Sequence, residues 1–572
     1  MKNHIIADMF EKMAAVLEFK GEMPFKVNAY RKASRVIGDL QVDIEQIWRQ
    51  GRLEDIPGIG SGLAKKIDEF LRTGRMTKYE EVMADVPPGL IELLEIQNLG
   101  PKTLALAHEK LQVNNLEDLK RVLADGSLAR LPGMGAKKAE NIIKGIELYE
   151  RAKGRISLGI AVPLVEEIIT QLQERTSVKR ISPAGSLRRM RETVGDIDIL
   201  VETEKGAEII AEFVHLPQVT RVLAAGDTKG SIIVEGEIQV DLRAVRPESY
   251  GSALQYFTGS KAHNIHLREI AKKRGLKISE YGIFCGKKQL GGSKEEEIYE
   301  NLDLVWIPPE IREDRGEIER AAEHNLPNLV SLEDIAGDLH VHSNYSDASI
   351  SIEEIARKAK ELGYSYIAIC DHSQSAKYAR GVEVERSKHK WQEIKQLNTK
   401  ISGITILSGT EVDILADGTL DYPDEILAQM DIVVAAIHSG FKQRVTERLI
   451  AAMQNPYVNI IAHPTGRLIS KREGYEVDLD AVLRVAAQTG TALEINAYYD
   501  RLDLSDVNAR RAADMGIKLA INTDAHLLEH FRMMRLGVGV ARRAWLEPKD
   551  VLNTWPLEKI RQFCQQKWQK LK

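Results

Sequence analysis

Three aspartates carry the first chemistry legible in this sequence. In AGSLRRMRETVGDIDIL (184–200), Asp196 and Asp198 alternate with Ile197, Ile199 and Val201, so a strand here turns both carboxylates to one face and the aliphatics into a core. Two acids so placed cannot relieve their repulsion by pairing with each other. A divalent cation can relieve it, and hard oxygen ligands suit Mg²⁺. A third carboxylate, Asp241 in IQVDLRAV, falls on a second strand with Gln239 and Arg243 on its face. Upstream, Gly185 and Ser186 form a turn at a helix start, a cradle for phosphate oxygens. Three carboxylates plus such a cradle are the apparatus of two-metal phosphoryl transfer. An Asp-x-Asp pair alone would equally fit a strand with a solvated acidic face. The Gly-Ser turn and Asp241 together argue for the metal.

A second constellation begins at Gly337. The runs GDLHVHS, YIAICDHS, ITILSGTEVDI, IVVAAIHSG, VNIIAHPTG, TALEINAYY and IKLAINTDAH are short and apolar, and each finishes in His, Asp, Glu or Asn. Helical stretches such as SIEEIARKAKELG separate them. Strands alternating with helices, with polar residues at the strand ends, predict a (β/α) barrel whose site lies on that face. Seven such strands can be counted. His340 and His342 alternate and so point to one side. A single strand-end histidine is more often a hydrogen-bonded core residue; six in succession are a metal nest.

These two sites need positioning elements. Residues 1–84 and 85–153 read as helical, and IPGIGSGLAKKIDEFLRTG recurs as LEIQNLGPKTLALAHEKL and LPGMGAKKAENIIKGI. In each copy glycines (Gly58, Gly60; Gly100; Gly133, Gly135) permit a tight turn with open amides before a helix whose N-terminus favours phosphate. These repeats resemble helix-hairpin-helix elements, which grip the DNA backbone without reading bases. Residues 154–247 hold the three aspartates, and 248–318 form the next subdomain, which by its resemblance to a nucleotidyltransferase family is expected to close on a nucleotide. In the latter, Tyr256 and Phe257 stand beside a turn at Gly259, where an aromatic edge packed by that turn is placed to exclude a ribose 2′-OH. Residues 319–336 read as a polar linker helix, and 337–572 as the barrel. At 572 residues several cores are required. The net charge of −5 does not announce a nucleic-acid partner, so DNA contact must rest on local patches and amides. Cys285, Cys370 and Cys564 make neither a disulfide framework nor a zinc cluster, and fit a reducing cytoplasm. No signal core and no span of about eighteen apolar residues appear.

GSLRRMRETVGDID followed by VDLR resembles the nucleotidyltransferase palm of the family X DNA polymerases. The resemblance extends to YFTGSKAHNIHLR (Tyr256–Arg268), ISEYGIF (Ile278–Phe284) and the N-terminal helices, and the C-terminal part resembles a polymerase and histidinol phosphatase (PHP) domain. The whole resembles the bacterial fusion of the two. It implies that Asp196 and Asp198 hold both palm ions, Mg²⁺ or Mn²⁺, and that Asp241 accepts the primer 3′-OH proton. Arg189 meets the triphosphate, and Asn264 and Arg268, one helical turn apart, touch the minor-groove side of the nascent pair. Lys261 departs from the acidic residue of vertebrate relatives. Lys26, Tyr30 and Arg31 match positions near a 5′-phosphate pocket, and Lys66 matches a Schiff-base lyase lysine. Gly62 and Phe25 depart from that pattern and weaken the lyase reading. In the barrel, which the resemblance makes a (β/α)7 fold, His340, His342, Asp347, His372, Glu411, His438, His463, Asp524 and His526 match the nine family ligands without substitution. They imply two or three Mn²⁺, Zn²⁺ or Fe²⁺ ions, with Glu411 a bridge.

The implied activity is gap-filling DNA polymerisation in base excision repair from dNTPs on gapped or primed duplex. A 3′–5′ exonuclease or phosphoesterase accompanies it, with cleavage at abasic sites among its reactions. The expected setting is a monomer associated with the nucleoid. The alternatives are a DNA-binding module that only delivers the nuclease, and a template-independent nucleotidyltransferase fused to a small-molecule phosphatase.

Overall fold

The computed structural model describes residues 2–38, 44–56, 58–84, 86–94, 96, 98–152 and 154–569. The chain divides into two compact units, Met1–Lys153 and Gly154–Lys572.

The first unit is helical. Lys2–Phe19 and Pro24–Gly38 pair through buried Ile6, Phe10, Met13, Val27, Tyr30 and Ile37. Each hairpin ends in a helix: Ser61–Thr73, Pro101–Leu111 and Ala136–Ala152. Gly60 and Gly100 are the N-cap residues of the first two, and neither helix start is capped by a side chain. The first-turn amides of these helices are therefore left without a side-chain acceptor, as the glycine pattern predicts.

The second unit begins with a five-stranded sheet. Its order is Ile181–Pro183, Ile197–Glu202, Ile238–Val245, Lys229–Val234, Val219–Ala225. The strand Ile197–Glu202 is buried at Ile197, Ile199, Leu200 and Val201, and the helix Leu158–Arg175 covers it from behind with Leu158, Ala161, Val165 and Ile168. Two helices, Tyr250–Thr258 and Lys261–Lys273, lead to a small antiparallel sheet of Lys277–Ser279, Gly282–Cys285 and Lys288–Gly291.

Seven parallel strands then follow in chain order, from Gly337–Val341 to Leu519–Asn522. A parallel bridge between Val341 and Ala525 joins the last to the first, and the His342 amide donates to the Ala525 carbonyl at 2.9 Å. The seven strands counted in the sequence are all present, and strands such as Ile432–Ala436 are buried along their whole length, as parallel strands under helices must be.

The stretch 319–336 differs from the linker helix expected there. Helix Glu317–Ala322 ends early; Leu329, Val330 and Ile335 are buried, and the Val330 amide bonds the Leu546 carbonyl at 2.9 Å. Its charges and Pro327 suggest a tether, but the apolar residues between them fix it to the barrel. Palm and barrel also share one continuous apolar core. Gly159 lies so close to Tyr499 that a Cβ would sit 2.3 Å from the tyrosine Cβ. The compact unit accordingly runs unbroken from 154, with no division at 318 or 336.

Candidate active sites

The palm strands bring the acidic trio together by register. Ile197–Glu202 and Ile238–Val245 pair in parallel with Asp198 directly beside Asp241. Asp196 stands just before its strand, exposed, where the sequence reading placed it inside the strand. The Ala184 amide donates to the Asp198 carbonyl at 2.8 Å, and Gly185 turns over the aspartate with φ +60. A Cβ on Gly185 would lie 2.6 Å from Asp198 Oδ2, so only glycine fits there. Ser186 follows in the short helix Gly185–Arg188.

Burial, then the neighbouring Asp196 and Asp241, push the Asp198 carboxyl up to about 6. Asp241 goes the other way. Burial alone would raise it, but bonds from Lys229 (Nζ to Oδ2, 2.8 Å), Gln239 (3.0 Å) and Ser231 outweigh that and keep it ionised. Lys229 and Ser231 were not singled out in the sequence. Ser231 pairs with Asp241 across the sheet, and a Lys-x-Ser alternation entering an apolar strand was the available signal.

Arg189 is half-buried and engaged. Its Nε donates to Glu313 at 3.2 Å and its Nη1 to the Thr258 carbonyl at 2.5 Å. Thr258 opens the turn at Gly259, which has φ +69. Tyr256 and Phe257 meet edge to face with centroids 5.2 Å apart, and the Arg243 guanidinium covers the Phe257 ring at 4.3 Å. The amide of Asn264 is used internally: it donates to the Tyr256 carbonyl at 2.8 Å and accepts from Gln255 at 2.8 Å. Arg268 Nε bonds the Asn264 carbonyl at 3.2 Å. Behind this turn, buried Glu295 receives Arg188 at 2.8 Å, Arg312 at 2.6 Å and Trp306 at 2.9 Å.

The barrel gathers all nine expected residues at one mouth. His342 with Asp347, His372 and His526, His340 with His342 and Asp524, and His372 with Glu411 and His438 form three groups that could each hold a metal ion. Glu411 is central: His463 approaches Oε1 at 3.0 Å, His438 at 3.2 Å, and His372 approaches Oε2 at 2.7 Å. His340 Nε2 and His342 Nε2 face one another at 3.1 Å. Buried His342 Nδ1, His372 Nδ1, His463 Nδ1 and Glu411 Oε2 lack a hydrogen-bond partner of proper geometry. Ring nitrogens and carboxylate oxygens converging without hydrogens to share fit cations.

Electrostatics agree. Burial, then neighbouring His526 and His372, push His342 down to about 4, the neutral form a metal takes. Burial opposes protonation of His438 and His526, yet the carboxylates beside them outweigh it and push them up to about 10 and about 9. The nest calls for positive charge.

Around it lies a layer that the sequence reading missed. Glu494 accepts from His340 Nδ1 at 2.8 Å, Asn522 at 2.9 Å, the His463 amide at 2.8 Å and Asn496 at 3.1 Å. Asp413 bonds His438 Nδ1 at 2.5 Å. Both orient imidazoles from behind. A glutamate inside the buried run TALEIN was the visible clue.

In the first unit, Lys66 Nζ donates to the Gly62 carbonyl at 2.7 Å and stands 6.0 Å from the ring centroid of buried Tyr30. Burial, then Lys78, lower its pKa, with Lys26 adding to the effect. Gly58 and Gly133 take φ +90 and +74, and a Cβ at Gly60, Gly100 or Gly135 would meet open space. Lys26 itself pairs with Glu22 at 3.2 Å, and Arg31 is turned to Glu18. Among the described residues, no helix is long and apolar enough to cross a membrane.

Four family models match the chain. A helix-hairpin-helix domain covers residues 1–76, a SAM-like helix-hairpin-helix tandem 90–147, a DNA polymerase beta thumb 253–313 and a PHP domain 338–498. The chain is 42% identical over 567 residues to the DNA polymerase/3′-5′ exonuclease PolX of Bacillus subtilis, covering 98% of both. A Thermoanaerobacter protein described as a "Probable phosphatase" is 33% identical over 250 residues, 41% of this chain and 96% of that one. DNA polymerase lambda of Arabidopsis thaliana is 25% identical over 346 residues, 54% of this chain and 62% of that one.

Proposed function

The chain belongs to the family X DNA polymerases with a C-terminal PHP domain, and on that premise we propose which residues perform its two reactions. The protein is a DNA-directed DNA polymerase with a metal-dependent 3′–5′ exonuclease, suited to filling short gaps in repair. The observation that carries the assignment of the first site is the in-register pair Asp198 and Asp241, with Asp196 at the strand mouth and Gly185 turned onto Asp198.

In this reading Asp196, Asp198 and Asp241 hold Mg²⁺ or Mn²⁺, and the nine barrel residues hold two or three Mn²⁺, Zn²⁺ or Fe²⁺ ions. Bound ions would neutralise developing phosphate charge at both sites and, in the barrel, supply an acidic water for hydrolysis. The rest is the work of side chains. Gly185 and Ser186 present amides to the triphosphate, and Arg189 adds a cation beside it. Lys229 keeps Asp241 anionic, so its carboxylate is ready to take the primer 3′-OH proton. Asn264 and Arg243 brace Tyr256 and Phe257 so that their edge can exclude a 2′-OH. Glu494 and Asp413 hold His340 and His438 by Nδ1 and leave Nε2 to face inward. The uncapped helix starts after Gly60 and Gly100, and the glycine turn before Ala136, grip the duplex backbone. Lys66, with its lowered pKa, is a candidate lyase nucleophile beside a 5′-phosphate seat at Lys26 and Tyr30.

One labelled gapped substrate tests the assignment. It is given to the wild type, Asp198→Ala and His342→Ala with and without dNTPs. Asp198→Ala should lose extension and keep 3′-end hydrolysis, and His342→Ala should do the reverse. Extension that survives Asp198→Ala removes the trio from the reaction.

A further inference from the structure

The helix Met534–Arg543 packs on the last barrel strands, yet its final side chain serves the palm. Arg543 is 5% exposed. Its Nη1 donates to the Arg189 carbonyl at 2.7 Å, to Glu313 at 3.0 Å and to the Glu310 carbonyl at 3.3 Å; Nη2 donates to Asp506 at 2.9 Å. Glu313 is the carboxylate that also receives Arg189 Nε, and Arg191 lies 3.8 Å from it. Arg315 stands 3.6 Å from Asp506. Four guanidinium groups thus share two carboxylates, and the cluster keeps a positive excess. One helical turn before Arg543, on the same face, Gly539 makes room for the residue that follows Arg189. A Cβ there would sit 2.5 Å from Met190 Cε and 3.1 Å from its Cβ. Met190 itself has φ +52. The Arg189–Met190 turn is therefore seated on the barrel helix at two successive points.

We infer that Arg543 is a positioning residue for the polymerase nucleotide pocket, supplied by the barrel: it fixes the Arg189 turn and shares Glu313, so that Arg189 keeps charge for an incoming nucleoside triphosphate. This rests on the reading of Arg189 as a triphosphate residue. If Glu313 had Arg189 as its main partner, the carboxylate would neutralise that guanidinium and draw it from the anion it is to bind. With Arg543 on the same oxygen, Glu313 is over-compensated, and the surplus cation faces the pocket. The inference also gives the fusion of the two halves a physical content. The barrel contributes to nucleotide binding without touching the nucleotide.

The test uses the full chain on a single-nucleotide gap, reading KM for the dNTP, kcat and, on the same preparations, 3′-end hydrolysis. Arg543→Met should raise KM about tenfold, the loss of one charge-assisted contact acting through Arg189. Its kcat should change less than twofold and hydrolysis should hold. Arg543→Lys should recover part of the effect. Adding Glu313→Gln to Arg543→Met should bring KM back down, because the carboxylate left holding Arg189 is gone. A wild-type KM in Arg543→Met overturns the inference. So does a parallel loss of extension and hydrolysis, which would mark the residue as structural only. Arg189→Met separates the premise: if it too leaves KM unchanged, the reading of Arg189 fails, whereas a raised KM there beside an unchanged one in Arg543→Met sinks only the coupling.

Discussion

Gly185→Ala tests the palm with a single methyl group. The new Cβ would lie 2.6 Å from Asp198 Oδ2 and 3.5 Å from its Cγ. A carbon and an oxygen rest at about 3.3 Å or more, so the carboxylate oxygen must retreat by about 0.7 Å. The backbone adds strain, since φ is +60 at this position; an L-residue there costs roughly 1–2 kcal/mol. A displacement approaching 1 Å in a reacting group costs on the order of 10²-fold in rate. Gap filling at saturating dNTP and Mg²⁺ should therefore fall by about two orders of magnitude, with 3′-end hydrolysis unchanged. Gly74→Ala separates strain from contact: Gly74 has φ +74 but a Cβ there meets nothing within 4 Å. It should lose a similar increment of stability and keep full extension. Gap filling by Gly185→Ala within twofold of the wild type would refute the placement of Asp198 in the reaction.

Three further outcomes follow from the same geometry. Asp198 is raised to about 6, so its ionised fraction falls from about nine-tenths at pH 7 to about one-tenth at pH 5, and nucleotide-free Mn²⁺ binding at the palm should weaken about tenfold over that interval. Paramagnetic resonance titration of wild type against Asp198→Asn isolates that ion, and a flat pH profile contradicts the assignment. Because the folded protein holds this proton where the unfolded chain has lost it, Asp198 makes the metal-free protein lose stability as pH rises from the ordinary carboxylate range through 6, and Asp198→Asn should remove that share of the slope in a chelator-treated denaturation series. Glu295→Gln leaves Arg188 and Arg312 without their anion in a buried site, which should cost about 3–5 kcal/mol. Burial opposes ionisation of Glu295, but Arg312 and Arg188 hold its carboxyl well below the usual range, so the pair persists through neutral pH and fails only in strong acid. Denaturant unfolding that is unchanged in this variant would show the pair to be dispensable.

Which residues are candidates to react was legible along the chain, because local patterns carry that information. Alternation in HVH put two imidazoles on one side of a strand, GDID carried its acids to a strand although Asp196 stops short of it, seven apolar runs with polar ends declared the barrel, and repeated glycine hairpins declared open amides. Pairing is non-local, and it came only with the folded chain. No spacing puts Asp198 beside Asp241, Lys229 on Asp241, or Glu494 behind His340; those contacts join positions 12 to 154 residues apart, and the pairing and closure of the sheets bring them together. The same holds for 319–336, whose composition reads as a tether while packing binds it to the barrel. It holds most of all for Arg543, an unremarkable basic residue at a helix end until folding carries it 354 positions back along the chain to Arg189. Residue chemistry is written one residue at a time, whereas the company each residue keeps is fixed only when distant strands close over a common core.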